Sequence, residues 1–298
     1  MSAARPLVVV ALGGNAVSPP AGDLSIRAER DAIARAAAEL APLAARGTRL
    51  LVVHGNGPQV GRLLAITAPG DAEALDVLVA ETQGELGYLV AAALDAHLGA
   101  GATAAVVTRV LVDPDDPAFA VPTKPIGAVL EAPAAGVACA RTPDGRGWRR
   151  VVASPRPRAV IEEAAIRALL ATHHLVAGGG GGIPLAGPDG VPRPAVVDKD
   201  WVAALLAVAL DAERLLFVTD VTHAFDDFGR PDAREIRAMH AAEARERLAR
   251  GVFAPGSMAP KVESAVTFVA ATGREAVIAT LGQVEVALAG RAGTTIRR

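Results

Sequence analysis

The sequence predicts an α/β fold: a mainly parallel sheet covered by helices on both faces. Short β-rich apolar runs alternate with longer alanine-rich helical stretches along the chain, the pattern of strand–helix–strand units. The chain has 298 residues, 51% of them hydrophobic and 21% charged. That is enough to bury a sizeable core, as one large domain or as two lobes sharing a crevice. Ligands of such sheets bind beyond the carboxyl ends of the strands, which is where candidate functional residues are sought.

The elements follow in order. Residues 7–12 read as a buried strand ended by Gly13-Gly14-Asn15, and residues 27–46 as a charged-faced helix. Residues 50–53 form the next strand, followed by the loop His54-Gly55-Asn56-Gly57-Pro58. A helix over 74–98 and a strand over 104–107 come next. The stretch from about 112 to 157 breaks the rhythm with eight prolines and a glycine-rich turn around Asp144-Gly145-Arg146-Gly147. It reads as an inserted arm or small subdomain. A helix over 158–172 and a strand over 175–177 lead into five consecutive glycines, Gly178 to Gly182. Helices over 201–210, 233–250 and 262–271 and strands over 215–219 and 276–279 complete the chain.

Charge and cysteine content narrow the function classes. A net charge of -2 gives no general attraction to nucleic acid or anionic membranes, so any anion site must be local. The single cysteine, Cys139, excludes a disulfide within the chain and suggests a reducing compartment. The apolar run near the start is short for a membrane span and has no cleavage-like end, so the chain is expected to be cytoplasmic. The six histidines show no zinc-site spacing, although His54 and His223 stand in candidate loops. No Gly-x-Ser-x-Gly elbow supports hydrolase chemistry.

Of the 30 basic residues only three are lysines, Lys124, Lys199 and Lys261. Each stands beside Gly, Pro or Asp in a candidate loop. A lysine ammonium is a compact point charge suited to a phosphate oxygen, whereas arginine is a planar fork. Lys199 and Lys261 stand near predicted helix N-termini, where a cation opposes the dipole at about 0.3–1 kcal/mol. A bound anion would offset that cost; local pairs of Lys199 with Asp198 or Asp200, and of Lys261 with Glu263, are the alternative. Pro260 suits the first position of its helix. Prolines around Lys124 could hold its ammonium over the crevice, or the side chain could simply be solvated. Four loops follow predicted strands: Gly13-Gly14-Asn15, Gly55-Asn56-Gly57, Gly178 to Gly182, and Asp220-Val221-Thr222. Any one could be an ordinary turn. Together they suggest a phosphate site, and none fits a Walker or dinucleotide-binding pattern.

These segments resemble the carbamate kinases of the amino acid kinase superfamily over essentially the whole chain. The resemblance rests on Val10-Ala11-Leu12-Gly13-Gly14-Asn15-Ala16, His54-Gly55-Asn56-Gly57-Pro58-Gln59-Val60-Gly61 and Pro122-Thr123-Lys124-Pro125-Ile126-Gly127. It continues in Arg149-Arg150-Val151-Val152, Gly179-Gly180-Gly181-Gly182-Ile183-Pro184, Asp198-Lys199-Asp200 and Phe253-Ala254-Pro255-Gly256-Ser257-Met258 with Pro260-Lys261. The resemblance implies an open αβα sandwich of one domain, residues 1–298, with a protruding arm at about 112–157. A substrate side to about residue 190 and a nucleotide side from about 191 are implied, as is a homodimer.

The resemblance also implies that Lys124, Lys199 and Lys261 act on the transferring phosphoryl group, with Asp200 organising the lysines. Gly13, Gly14, Asn15, Gly55, Asn56 and Gly57 would hold carbamate or carbamoyl phosphate. Gly180, Gly181, Asp220, Phe225 and Met258 would hold ATP or ADP. Mg2+ would ride mainly on the phosphates, with no protein ligand named, and the reaction would be direct in-line transfer in arginine or related nitrogen catabolism. Lys124 would supply the charge that many relatives place where this chain has Ala11. The chain departs from the family pattern at Thr222-His223-Ala224-Phe225, at Ala259 and at Val79-Ala80-Glu81-Thr82. Another kinase of the superfamily, or a non-catalytic sensor on the same fold, are the rival readings.

Overall fold

The computed structural model describes residues 5–17, 25–67, 74–134, 136–142, 145–187 and 190–298. Eight strands build its large sheet: β1 (Leu7–Leu12), β2 (Arg49–His54), β3 (Thr103–Ala105), β4 (His174–Val176), β5 (Arg214–Thr219), β6 (Ala238–His240), β7 (Ala276–Thr280) and β8 (Thr294–Arg297). Their order across the sheet is β6-β8-β7-β5-β1-β2-β4-β3. Neighbours from β7 to β3 run parallel, and only the β7–β8 pair is antiparallel.

Residues alternate along β1 with period two, and both faces are apolar. Leu7, Val9 and Ala11 pack into one core with Val202 and Leu206 of the Lys199–Ala209 helix and with Val262 and Val269 of the Met258–Thr272 helix. Val8, Val10 and Leu12 pack into a second core with Ile33 and Leu40 of the Ile26–Ala45 helix and Leu86 and Leu94 of the Leu75–Leu98 helix. Two cores on opposite faces of one sheet make the αβα sandwich expected from the sequence. The Leu75–Leu98 helix is long and apolar enough to cross a membrane by composition alone, but half of its most apolar stretch is buried inside the protein.

The proline-rich stretch forms its own small sheet. Lys124–Leu130 and Cys139–Arg141 both pair antiparallel with Trp148–Val152. Beside it, Arg109–Val112 pairs with Pro157–Val160 and Ile183–Ala186, so the entry and exit of the inserted segment are adjacent strands. The turn expected around Asp144 lies partly outside the described residues.

Several expectations need correction. Residues 158–172 are not one helix: Pro157–Val160 is a strand and only Glu163–Leu169 is helical. Pairing with Arg109–Val112 overrides the alanine-rich helical pattern there. Residues 233–250 likewise begin with two strands, Arg234–Ile236 and β6, before the Ala241–Ala249 helix. That helix starts where the Glu243 carboxylate accepts from the His240 N–H at 3.2 Å. The helix expected from 262 begins at Met258, so Pro260 is its third residue, still within the turn where an N–H has no helical partner. The Gly57–Ile66 helix and β8 were not anticipated.

Candidate active site

The four glycine-rich or acidic loops follow β5, β1, β2 and β4, which are consecutive neighbours in the sheet. Parallel pairing puts their carboxyl ends on one edge, as the sequence implied. Beyond that edge lies a cavity of about 320 Å³. Its lining includes Gly13, Gly14, Gly55, Asn56, Gly57, Gly180 and Asp220, together with Lys124, Lys199, Asp200 and Lys261. The three lysines therefore converge from residues far apart in sequence.

Two carboxylates on one helical turn hold them. Asp200 accepts from Lys199 Nζ at 2.6 Å through Oδ1 and from Lys261 Nζ at 2.9 Å through Oδ2. Asp198 accepts from Lys124 Nζ at 2.6 Å through Oδ2. Its other oxygen accepts from the Asp200 N–H at 3.0 Å, capping the Lys199–Ala209 helix. Each lysine is the first residue of a strand or lies in the first turn of a helix, not in a free loop. Asp200 is 3% exposed and Lys261 7%.

Burial alone would raise the Asp200 carboxyl, but the ammonium groups of Lys199 and Lys261 bring it down to about 2. Lys199 sits below its usual range because burial disfavours its charge and Lys261 repels it, against the pull of Asp200 and Asp198. Three ammonium groups meet two carboxylates here, which gives this side of the cavity one positive charge in excess and suits it to an anion, while Asp220 balances that charge at the mouth.

Backbone proximity explains the glycines. A Cβ on Gly13 would stand 2.8 Å from the Val218 carbonyl oxygen. Gly180 has φ of +63°, and a Cβ there would stand 2.1 Å from Asn56 Nδ2, which donates to Thr82 Oγ1 at 2.9 Å. Gly180 thus borders the lysine cavity beside Asn56, on the side expected for carbamate. Gly181 lines neither this cavity nor the next; it packs against the Val197 carbonyl with φ of +86°. Asn15 falls in a single helical turn, Gly14–Val17, and its side chain lies outside the described residues.

A second cavity, also about 320 Å³, opens alongside and shares Thr219, Asp220 and Ser257 with the first. Phe225, Phe228, Val252, Phe253 and Met258 make it mostly apolar. A polar, lysine-bearing cavity joined to an apolar aromatic one suits a phosphate chain ending in a flat heterocycle. His54 lies beneath the first cavity. It is buried and held down to about 4 by that burial, with Lys199 adding to the effect and the Gly55 carbonyl opposing it. His223 instead faces Glu235 at 3.6 Å. The sequence presents Asp198 only as a possible partner of Lys199, whereas in the structure it caps the helix and holds Lys124; its place two residues before Asp200, at the predicted start of a helix, is the signal in the sequence for that cap.

A parallel sheet with this cavity at its carboxyl edge fits a class of small-molecule kinases, and the chain belongs to the amino acid kinase family, whose sequence profile matches residues 6–280. Carbamate kinases are among its relatives in the family. It is 44% identical over 299 residues to the carbamate kinase of Escherichia coli (strain K12), an alignment covering 97% of this chain and 98% of that protein. It is 42% identical over 278 residues to carbamate kinase 1 of Enterococcus faecium, covering 88% and 89%. The solved structure of carbamate kinase from Giardia lamblia bound to AMP-PNP matches with a TM-score of 0.88 at 34% identity, covering 99% of each chain.

Proposed function

We propose that this chain is a carbamate kinase, an ATP-dependent phosphotransferase that interconverts carbamoyl phosphate plus ADP with ATP plus carbamate. The observation that carries the reading is the meeting of Lys124, Lys199 and Lys261 in one cavity, held by two carboxylates of a single helical turn. In the ATP-forming direction, a terminal oxygen of ADP attacks phosphorus as the bond from phosphorus to the carbamate oxygen breaks. Carbamate leaves as an anion, so no general acid is required. The protein's work is positioning and charge stabilisation.

Lys199 and Lys261, fixed by Asp200, face the transferring group. Lys124 reaches it from the arm. The backbone at Gly13, Gly14, Gly55 and Gly57, with the Asn56 side chain, lines the carbamate end, and Asn15, in the turn after Gly14, would add to it. Phe225 and Met258 flank the nucleoside, with Asp220 where the two cavities meet. Among the described residues no cluster of three or more His, Cys, Asp or Glu forms a metal site. Asp198 and Asp200 are engaged by lysines. This donor set fits Mg2+ that arrives on the nucleotide phosphates, with Asp220 the carboxylate within the shared mouth; when bound it would neutralise phosphate charge.

A division at about residue 190 into a carbamate side and a nucleotide side belongs to the same reading; the lining of the second cavity, from Thr219 onward, supports it, while the lysine cavity draws residues from both sides. A cytoplasmic setting and a role in arginine or related nitrogen catabolism belong to the same proposal. So does a homodimer, for which the exposed Val77 and Tyr88 on the Leu75–Leu98 helix offer apolar surface; sedimentation at micromolar concentration tests it. The decisive experiment mixes the protein with ADP, Mg2+ and carbamoyl phosphate and measures ATP. ATP at a rate proportional to enzyme supports the reading. No ATP, with ADP bound and other acyl phosphates consumed, overturns it.

A further inference from the structure

Lys124 is delivered by the arm, and the arm's exit carries a side chain that the reaction itself does not use. Arg156 stands between the last arm strand, Trp148–Val152, and the Pro157–Val160 strand. Its guanidinium carbon lies 3.6 Å from the ring centroid of Trp201. Its Nη2 donates to Glu263 Oε2 at 2.5 Å. Its backbone N–H donates to Asp116 Oδ2 at 3.0 Å, while Asp116 Oδ1 caps the Pro117–Phe119 turn at the arm's entrance.

The three partners are informative by position. Trp201 directly follows Asp200, and Glu263 lies two residues after Lys261. Arg156 therefore touches the helix that carries Lys199 and Asp200, the helix that carries Lys261, and both ends of the arm that carries Lys124. Near the arm's exit the backbone adds a further tie: Val196 N–H donates to the Ala153 carbonyl at 3.0 Å.

We infer that Arg156 is a positioning residue that locks the base of the arm onto the two lysine-bearing helices and so fixes Lys124 over Asp198. This rests on the carbamate kinase reading. The Arg156–Glu263 pair is too exposed to matter much for global stability, with side chains 55% and 35% accessible. Its consequence is geometric: a small drift of a group that acts on the transferring phosphoryl costs rate well before it costs fold. Arginine suits the task because one planar group stacks on an indole and pairs with a carboxylate at once, which lysine's ammonium does not reproduce.

The test is a double-mutant cycle on turnover. Arg156→Ala is expected to lower kcat about tenfold, leave the KM for ADP within about twofold, and leave the melting temperature nearly unchanged. Arg156→Lys should recover only part of the loss, and Glu263→Gln should show a smaller loss of the same kind. In a Lys124→Ala background, Arg156→Ala should cost almost nothing further, because the group it positions is gone. The inference is overturned if Arg156→Ala turns over like the parent, if its loss multiplies fully with that of Lys124→Ala, or if kcat falls only in step with stability. Failure of the carbamate kinase reading looks different: the parent protein itself makes no ATP.

Discussion

Asp200 is the residue on which the site's charge balance turns. One buried carboxylate divides its two oxygens between two ammonium groups, so neither lysine can be lost without leaving it half-partnered. Lys199→Ala and Lys261→Ala should each lower turnover by about 10²–10³, the scale for losing one preorganised contact to developing charge. Steady-state ATP formation together with circular dichroism separates lost chemistry from lost fold. A variant near parental turnover removes that lysine from the mechanism. These residues were legible in the sequence because the chain keeps only three lysines against 27 arginines. How they share carboxylates was not legible. The sequence offers Glu263, two residues away, as a partner for Lys261, but in the folded chain Glu263 goes to Arg156 and Lys261 goes to Asp200. Proximity in sequence says little about a helix side chain pointing across to another helix.

At the scale of elements, the start of the Lys199–Ala209 helix joins stability to chemistry. Asp198 caps that helix with one oxygen and holds Lys124 with the other. The two roles can be separated. Asn caps about as well as Asp, so Asp198→Asn should leave stability to urea nearly unchanged while lowering turnover, since Lys124 loses its charged anchor. Asp198→Ala should lose turnover and also about 0.5–2 kcal/mol of stability. Equal stability losses in the two variants would show that the cap is not what Asp198 contributes. The Ile26–Ala45 and Leu75–Leu98 helices and the central strands are readable to within a residue or two because their apolar pattern is continuous, whereas the Met258–Thr272 helix starts four residues before its expected first position. The larger errors fall at 158–172 and 233–250, where alanine-rich sequence resembles helix but the first residues are recruited into strands, Pro157–Val160 and Ala238–His240 by partners distant in the chain and Arg234–Ile236 by the nearby Ala224–Asp226.

At the scale of the whole molecule, the order β5-β1-β2-β4 is what turns four unremarkable turns into one cavity. No local pattern reveals strand order, so the shared edge was an expectation and the exact neighbours were a result. The same packing makes the protein acid-sensitive through His54, at the end of β2. A Cβ on Gly179 would stand 2.5 Å from its Nε2, and its Nδ1 lies 3.0 Å from the Gly55 carbonyl, so the ring is enclosed between two of the cavity loops. Its folded pKa is depressed from 6.5 to about 4. Above pH 6.5 the ring is neutral folded or unfolded, and the full stability is present. As pH falls below 6.5 the unfolded chain takes up a proton that the folded chain refuses. Stability then drains at about 1.4 kcal/mol per pH unit until the folded ring titrates near pH 4. Asp200 contributes in a separate, lower window, losing its stabilisation only as pH falls from 3.8 toward about 2. Urea unfolding at pH 7 and pH 5 should therefore show a loss of about 2 kcal/mol attributable to His54. His54→Gln starts from lower stability but should show a pH dependence flatter by that amount. An unchanged slope in the variant would mean that the folded ring takes up its proton at the same pH as the unfolded chain, so that its enclosure between the cavity loops does not depress it.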